Sequence, residues 1–228
     1  GGREALTEAL ATARSVGDRR LEALAAWNMG KTLAAADVPV EALEYYRASR
    51  DVAKEVGDDH VLRRALNEIA AESGRLHDYD AEVAASAEAL EVALRAATPK
   101  EQQLSFQNLA VSCVHRGDFE PARAAFLEAF RRAASLRLVD AQIDALIGLG
   151  RAHFGLRSLA SAIPVLEHVL ALSRAAGDDI STAESLANLS STWHELRRFE
   201  TAIDTSTRLL LLSRRLGDVR REGVALCN

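Results

Sequence analysis

Apolar residues recur along the chain at the spacing of one face of an α-helix, and the whole pattern returns every 40 residues. In the first full unit, Ala26, Met29 and Leu33 stand at i, i+3 and i+7, the spacing of a helix with one buried face. A second stripe of the same kind includes Leu43 and Tyr46. The pattern therefore predicts two amphipathic helices in every unit.

A Gly-Asp pair marks most of the junctions between units. It begins at Gly17, Gly57, Gly177 and Gly217. Glycine accepts the left-handed conformation that often ends a helix, and the aspartate after it can cap the next helix. At the third junction Thr98 and Pro99 offer a cap and a first-turn proline instead. These junctions predict five full repeats, at residues 17–56, 57–96, 97–136, 137–176 and 177–216.

Residues 3–16 align with the second helix of a repeat, and residues 217–228 align with a first helix. We therefore expect one array across residues 1–228, with a half repeat at each end, cut from a longer array. A repeat buries its apolar stripe against a neighbour, so terminal repeats normally carry polar outer faces. The apolar Leu6, Leu10, Val224 and Leu226 instead predict contacts of the two ends with a larger parent protein or with partners.

Two columns of small residues mark the places where helices should cross closely. The first is Gly30, Ala70, Ala110, Gly150 and Ser190, and the second is Ala42, Glu82, Ala122, Ala162 and Ala202. Larger side chains there would push the helix axes beyond their usual separation of about 8–10 Å. Glu82 breaks the second column, and we expect Ala81 to take its place.

The segments RGDFEPARAAF (116–126), MGKTLAAADVPVEALEYY and LSSTWHELRRFETAI resemble the tetratricopeptide repeat (TPR), a helix-turn-helix unit. The resemblance covers essentially the whole chain and implies an all-α fold, a right-handed superhelix of antiparallel helix pairs. The 40-residue unit is similar to the longer repeats of LGN/Pins polarity adaptors, Tonsoku, bacterial NB-ARC regulators and ciliary dynein-docking subunits.

Composition narrows the class of protein further. Hydrophobic residues make up 48% of the chain and aromatic residues 5%, which suits packed helices, and the net charge of −5 favours neither nucleic acid nor membrane as a partner. The two cysteines show no metal-binding or disulfide spacing. We expect an intracellular, cytoplasmic protein with no signal peptide and no membrane-spanning segment, with cytoskeletal or ciliary association as an open alternative.

Reactive groups do not converge anywhere in the sequence. The glycine-rich GLGRAHFG (148–155) falls inside a predicted helix rather than between a strand and a helix, so it does not predict a phosphate-binding loop. His153 and Cys113 fall in a core column, and the histidines lack ligand spacing. The sequence therefore predicts no enzyme activity, no metal and no cofactor.

The strongest functional signal is an asparagine at one position of the first helix, interrupted by Glu68 and Gly148. It occurs at Asn28, Asn108, Asn188 and Asn228. The resemblance implies that first helices line a concave groove and that such an asparagine contacts the backbone of a bound peptide; ordering the helix stack is the alternative. Nearby positions add Trp27, Lys31, Arg64, Asn67, Arg75, Gln107 and Arg151 to the candidate partner-binding residues.

Lys31, Arg64 and Arg75 make the first half of the predicted groove basic, so we expect a protein or peptide partner with an acidic segment. The sequence favours a protein-binding adaptor or scaffold. A sensor segment of a bacterial signal-transduction regulator and a structural docking subunit of a ciliary or cytoskeletal complex stay as alternatives.

Overall fold

A computed structural model describes residues 2–227, with the backbone alone for residues 2 and 3. The described residues form twelve α-helices and no strand. In chain order they are α1 (Gly2–Val16), α2 (Arg19–Ala35), α3 (Pro39–Glu55), α4 (Asp59–Arg75), α5 (Tyr79–Ala96), α6 (Pro99–Arg116), α7 (Phe119–Ser135), α8 (Val139–Gly155), α9 (Leu159–Ala176), α10 (Asp179–Glu195), α11 (Phe199–Leu216) and α12 (Val219–Cys227). The prediction of an all-helical fold with two helices per repeat is confirmed.

The helices belong to two compact units, unit 1 (Gly1–Arg116) and unit 2 (Gly117–Asn228). In unit 1 each helix packs against the next, and α2 also contacts α4 as α4 contacts α6. In unit 2 each helix likewise packs against the next, and α8 contacts α10 as α10 contacts α12. Within each unit the backbones of successive first helices thus approach one another, whereas those of the described second helices lie farther apart and meet through side chains such as Lys54 and Glu88. That the whole chain forms a single array remains a prediction.

The junctions between repeats have the predicted geometry. Gly57 has a φ of 66°, Gly177 has 71°, and both lie in the left-handed region. The Asp58 carboxylate accepts a hydrogen bond from the Val61 amide at 3.0 Å, and Asp178 accepts one from Ser181 in the same way. At the third junction the Thr98 amide donates to the Glu101 carboxylate at 3.0 Å, which forms a reciprocal cap.

Five turns place a side-chain-bearing residue in the left-handed region. These residues are Asp37, His77, Arg137, Arg157 and Arg197. Four of them lie between the two helices of a repeat, but Arg137 stands at a repeat junction, where the other repeats have glycine or, at the third junction, Ala97. The left-handed region costs such residues roughly 1–2 kcal/mol. The left-handed turn is therefore kept at these five positions without glycine, whereas Ala97 at the third junction is extended, with a φ of −104°.

The columns of small residues lie at close helix contacts, as predicted. A Cβ on Gly30 would come 2.6 Å from the Tyr46 ring, and one on Gly150 would come 2.7 Å from Leu166. The expectation that Ala81 replaces Glu82 is wrong, because Glu82 itself is buried in the column. It fits because Gly74 has no side chain: a Cβ there would lie 2.9 Å from the Glu82 Oε2.

Ion pairs connect neighbouring repeats along their surfaces. Lys54 on α3 pairs with Glu88 on α5 of the next repeat at 2.9 Å, whereas Arg95 on α5 pairs with Asp59 on α4 within one repeat at 2.5 Å. Exposed pairs of this kind contribute only about 0–1 kcal/mol each. Packing of the apolar stripes therefore provides most of the stability, while the ion pairs add register.

One of the described helices, α9, is long and apolar enough to cross a membrane, with a mean hydropathy of 1.3. From the sequence, no membrane-spanning segment is expected. Length and composition alone are weak evidence, since α9 also packs against α8 and α10 as the second helix of its repeat. Pro164 lies inside it, and the helix continues through this residue.

Candidate functional site

The surface of α2, α4 and α6 in unit 1 brings together most of the residues that the sequence singled out. We call it the first-helix face of unit 1. Trp27, Asn67 and Gln107 occupy the same repeat position on the three helices. Because these helices contact one another in order, equivalent positions on them lie on one continuous face.

Trp27 lies at the centre of a cation–π cluster on this face. The Arg64 Cζ is 3.6 Å from the centre of its ring, and the Lys31 Nζ is 4.9 Å away. The indole is 5% exposed and packs into the core of unit 1. Each such contact contributes about 0.5–2 kcal/mol. The two cations therefore cover a large aromatic surface.

Three side chains at the shared position each carry a buried polar atom that has no hydrogen-bond partner in the described part of the chain. The atoms are the Trp27 Nε1, the Asn67 Oδ1 and the Gln107 Oε1. Buried polar groups are nearly always hydrogen-bonded in folded proteins, and leaving one unpaired costs about 1–3 kcal/mol. Three unpaired groups at one repeat position point to hydrogen-bonding capacity that the fold does not use.

Charge on the first-helix face is mixed. Arg75 pairs with Asp37 and, at 2.8 Å, with Glu72, so its charge is compensated. Burial raises the pKa of the Glu68 carboxyl, while the neighbouring Lys31 opposes the rise. Lys31 is exposed and, among the described residues, forms no ion pair. The cationic character predicted from the sequence thus rests on Lys31 and Arg64 rather than on Arg75.

The asparagine column is less uniform than its sequence suggests. The Asn28 amide donates to the Leu24 carbonyl on its own helix at 3.0 Å. The backbone carbonyls of Asn28, Asn108 and Asn188 each accept a hydroxyl from four residues on, from Thr32, Ser112 and Thr192. Gly148 interrupts the column because a side chain there would overlap the ring of Phe126. Asn228 lies outside the described residues.

The corresponding face of unit 2, formed by α8, α10 and α12, is more acidic. The pKa of Asp144 is raised, first by burial and then by the nearby Asp140 and Glu184. Asn188 has a buried amide nitrogen with no partner in the described region, and Arg151 is exposed. Sequence reasoning named Arg151 and Asn188 but did not predict the acidic surroundings.

A further polar pair in unit 1 was missed by the sequence reasoning. The His115 Nδ1 lies 2.9 Å from the Glu82 Oε1, and the His115 ring contacts Tyr79 at a centroid distance of 6.0 Å. In the sequence, Glu82 interrupts a column of small residues and gives no sign of a polar partner. The signal that could have revealed the pair is Gly74, which provides the space.

The described residues contain no group of His, Cys, Asp or Glu side chains able to hold a metal ion. Cys113 is 3% exposed and fills space in the core, as the sequence predicted. Burial lowers the pKa of His153, whose Nδ1 has no partner within the described part of the chain.

The fold is a TPR-type helical repeat. Three features define it: helix pairs that repeat in register, first helices that contact one another within each unit, and small residues where helices cross. No family model matches the chain, and no curated protein sequence matches it. Comparison with solved structures supports the fold assignment.

Aspartyl phosphate phosphatase F from Bacillus subtilis matches 95% of the chain with a TM-score of 0.77 and 14% identity. BtubC (BKLC) from P. vanneervenii matches 96% of it with a TM-score of 0.75 and 15% identity. A STAND signal-transduction ATPase with a tetratricopeptide repeat sensor, from Pyrococcus horikoshii, matches 91% with a TM-score of 0.72 and 13% identity.

The chain spans 57% of the length of the phosphatase, 92% of BtubC and 35% of the STAND protein. At these identities the likeness concerns the fold. It shows that this arrangement of helices occurs in proteins of different names and sizes.

Proposed function

We propose that the protein is a non-enzymatic interaction scaffold that binds an extended, acidic peptide segment on the first-helix face of unit 1. The observation that carries the proposal is the set of unpaired polar atoms on Trp27, Asn67 and Gln107. An extended peptide backbone offers both N–H and C=O groups along its length. It can therefore satisfy the indole donor and the two amide acceptors together.

The spacing of the three helices suits this ligand. Packed helices lie about 8–10 Å apart, and an extended chain advances about 3.3 Å per residue. Equivalent positions on α2, α4 and α6 would then meet every third residue of the peptide. Asn67 and Gln107 are half-buried rather than enclosed, so rotation of the terminal amide brings the oxygen to the surface.

Lys31 and Arg64 determine which charge the proposed ligand should carry, because two cations favour an acidic segment. A carboxylate that pairs with Arg64 would draw the guanidinium from the Trp27 ring and uncover an aromatic surface for an apolar side chain. Aromatic residues of this kind often dominate the binding free energy at interfaces. The ligand we expect therefore alternates acidic and apolar residues.

A peptide selected from a random display library against the purified chain tests the proposal. The double substitution Asn67→Leu, Gln107→Leu should weaken binding at least tenfold without lowering thermal stability, because it removes two buried oxygens that the fold leaves unpaired. Unchanged affinity would show that this position does not bind the peptide.

Four further variants complete the test. Lys31→Glu should weaken binding and reduce its dependence on salt. Asn28→Ala and Asn108→Ala measure the contribution of the adjoining amide column. Asn188→Leu in unit 2 serves as the matched control, since it removes an unpaired amide outside the proposed site and should leave the affinity unchanged.

A second candidate function is that of a sensor segment in a larger signal-transduction protein. The supporting observation is the fold likeness to the STAND protein, of which the chain spans 35%. The parent gene distinguishes the two, because a sensor segment would follow a nucleotide-binding module. A docking subunit of a cytoskeletal or ciliary complex is the remaining candidate, and location of the tagged parent protein in cells tests it.

A further inference from the structure

A crevice of about 570 Å³ lies in unit 2, on the side away from the contacts between first helices. It is bounded by the end of α9, the start of α10 and the second half of α11, and we call it the α9–α11 crevice. Arg174, Arg208 and Arg215 line it, with Asp179 as the single carboxylate among the lining residues. Leu186 and Leu212 are buried and form its apolar wall.

The three arginines differ in how far their charge is compensated. Arg215 pairs with Asp179 at 2.7 Å. Arg208 approaches Asp204 on its own helix at 3.5 Å, where both side chains are largely exposed. Within the described residues Arg174 forms no ion pair. The crevice therefore carries an excess of positive charge.

The equivalent positions in unit 1, three repeats earlier in the chain, show what is unusual here. Lys54 takes the place of Arg174, and its partner Glu88 takes the place of Arg208. The Lys54–Glu88 ion pair, at 2.9 Å, bridges α3 and α5 directly. In unit 2 the bridging carboxylate has been replaced by a second cation.

A further exchange changes the rim. Glu91 in unit 1 corresponds to Leu211, which is 64% exposed. Counting Arg95 and Asp59, which correspond to the Arg215–Asp179 pair, the equivalent positions of unit 1 hold two cations and three anions. The unit 2 crevice has three cations and one anion. Two differences, Arg208 in place of Glu88 and Leu211 in place of Glu91, thus remove the ion pair between the second helices and leave a cationic and apolar surface.

We propose that the α9–α11 crevice docks an acidic segment of a partner protein. A carboxylate of that segment would lie between Arg174 and Arg208 and pair with Arg174, as the Glu88 carboxylate pairs with the equivalent Lys54 in unit 1. A neighbouring apolar side chain would cover Leu211 and reach Leu212. Arginine binds carboxylates through paired hydrogen bonds, which gives the contact geometric selectivity.

The apolar surface argues for a peptide rather than a simple anion. An inorganic anion would compensate the arginines but leave Leu211 exposed, whereas a segment with acidic and apolar residues satisfies both. This proposal concerns a surface separate from the first-helix face of unit 1 and does not depend on the function proposed there.

A fluorescein-labelled octapeptide of alternating glutamate and leucine serves as the probe, and fluorescence anisotropy measures its binding to the full chain. All proteins carry Lys31→Glu and Arg64→Glu, which remove the two cations that give the first-helix face of unit 1 its cationic character. In this background Arg208→Glu restores the bridging carboxylate and should raise the dissociation constant at least tenfold. Its thermal stability should equal or exceed that of the parent, because a carboxylate then faces Arg174.

The matched control is Arg198→Glu at the start of α11, about 15 Å along the helix from Arg208. It makes the same change in net charge and should leave the dissociation constant within twofold. Equal loss of binding in both variants would show general charge attraction and overturn the proposal. Unchanged binding in Arg208→Glu would overturn it as well.

Competition identifies the kind of ligand. Inorganic phosphate, a glutamate–serine peptide and a single-stranded oligonucleotide are each added to the complex. All three should compete at least tenfold more weakly than the unlabelled glutamate–leucine peptide. If phosphate or the serine peptide competes as well as the glutamate–leucine peptide, the proposed contact of an apolar side chain with Leu211 and Leu212 is wrong. If the oligonucleotide binds more tightly, the partner is not a protein.

Discussion

The guanidinium of Arg64 on α4 stacks on the indole of Trp27 on α2, with its Cζ 3.6 Å from the ring centre. The contact joins two successive repeats through a side chain on each first helix. It also covers the Trp27 ring on the first-helix face of unit 1. The state of this pair is accessible to measurement, because the chain has only two tryptophans.

In a Trp193→Phe background, Arg64→Ala should shift the Trp27 emission to longer wavelength, because water then reaches the ring. The free energy of unfolding should fall by about 0.5–2 kcal/mol with loss of the cation–π contact. Arg64→Lys keeps the charge without the planar stacking and should give an intermediate shift. Identical emission spectra for all three proteins would contradict the contact.

Gly148→Ala should destabilise the protein, because the new methyl group would overlap the ring of Phe126. Overpacking of this kind costs about 1–3 kcal/mol. The gain in helix propensity offsets part of that cost. Gly223→Ala is the matched control: no atom lies within 4 Å of its new methyl group, so it should stabilise by about 0.5–1 kcal/mol. Urea denaturation of both variants measures the difference, and a stabilised Gly148→Ala would refute the packing.

Arg137→Gly should stabilise the protein, because Arg137 adopts a φ of 56° at a junction where Gly177 has the same conformation. Relief of the left-handed strain is worth roughly 1 kcal/mol, reduced by the greater freedom of glycine in the unfolded chain. Gly177→Ala should have the opposite sign. In a chain of this length 1 kcal/mol corresponds to about 2–4 °C in Tm, which thermal denaturation resolves.

Glu68→Gln should stabilise the protein at neutral pH but not at pH 4. Burial raises the pKa of Glu68 above its ordinary value of 4.5, so the folded state holds the proton more tightly than the unfolded state. The stabilisation from this carboxyl is complete below pH 4.5 and is lost as the pH rises through the raised pKa. Thermal denaturation should therefore show a difference between Glu68→Gln and the unmodified chain that grows with pH. The exposed Glu44→Gln, as control, should show no such growth.

The sequence could predict the repeat, the two helices in each repeat and the caps at their ends. All of these depend on residues close together in the chain. Gly57 and Asp58 end one helix and begin the next through contacts within a few residues, and the structure has that geometry. The placement of Trp27, Asn67 and Gln107 on one face follows from the repeat length alone. These residues could be chosen as site candidates without knowing what surrounds them.

Only the tertiary structure decided what those side chains contact. Arg64 covers Trp27, and Arg75 is compensated by Asp37. Arg208 lines an open crevice, whereas Glu88, at the equivalent position of unit 1, pairs with Lys54. Partners of this kind lie more than thirty residues apart, and rotamers and local space select them. Glu82 is the clearest case, since its burial depends on the room left by Gly74 and on a histidine from the next first helix. A repeat column states which residues are equivalent, whereas packing determines whether equivalent residues have equivalent neighbours.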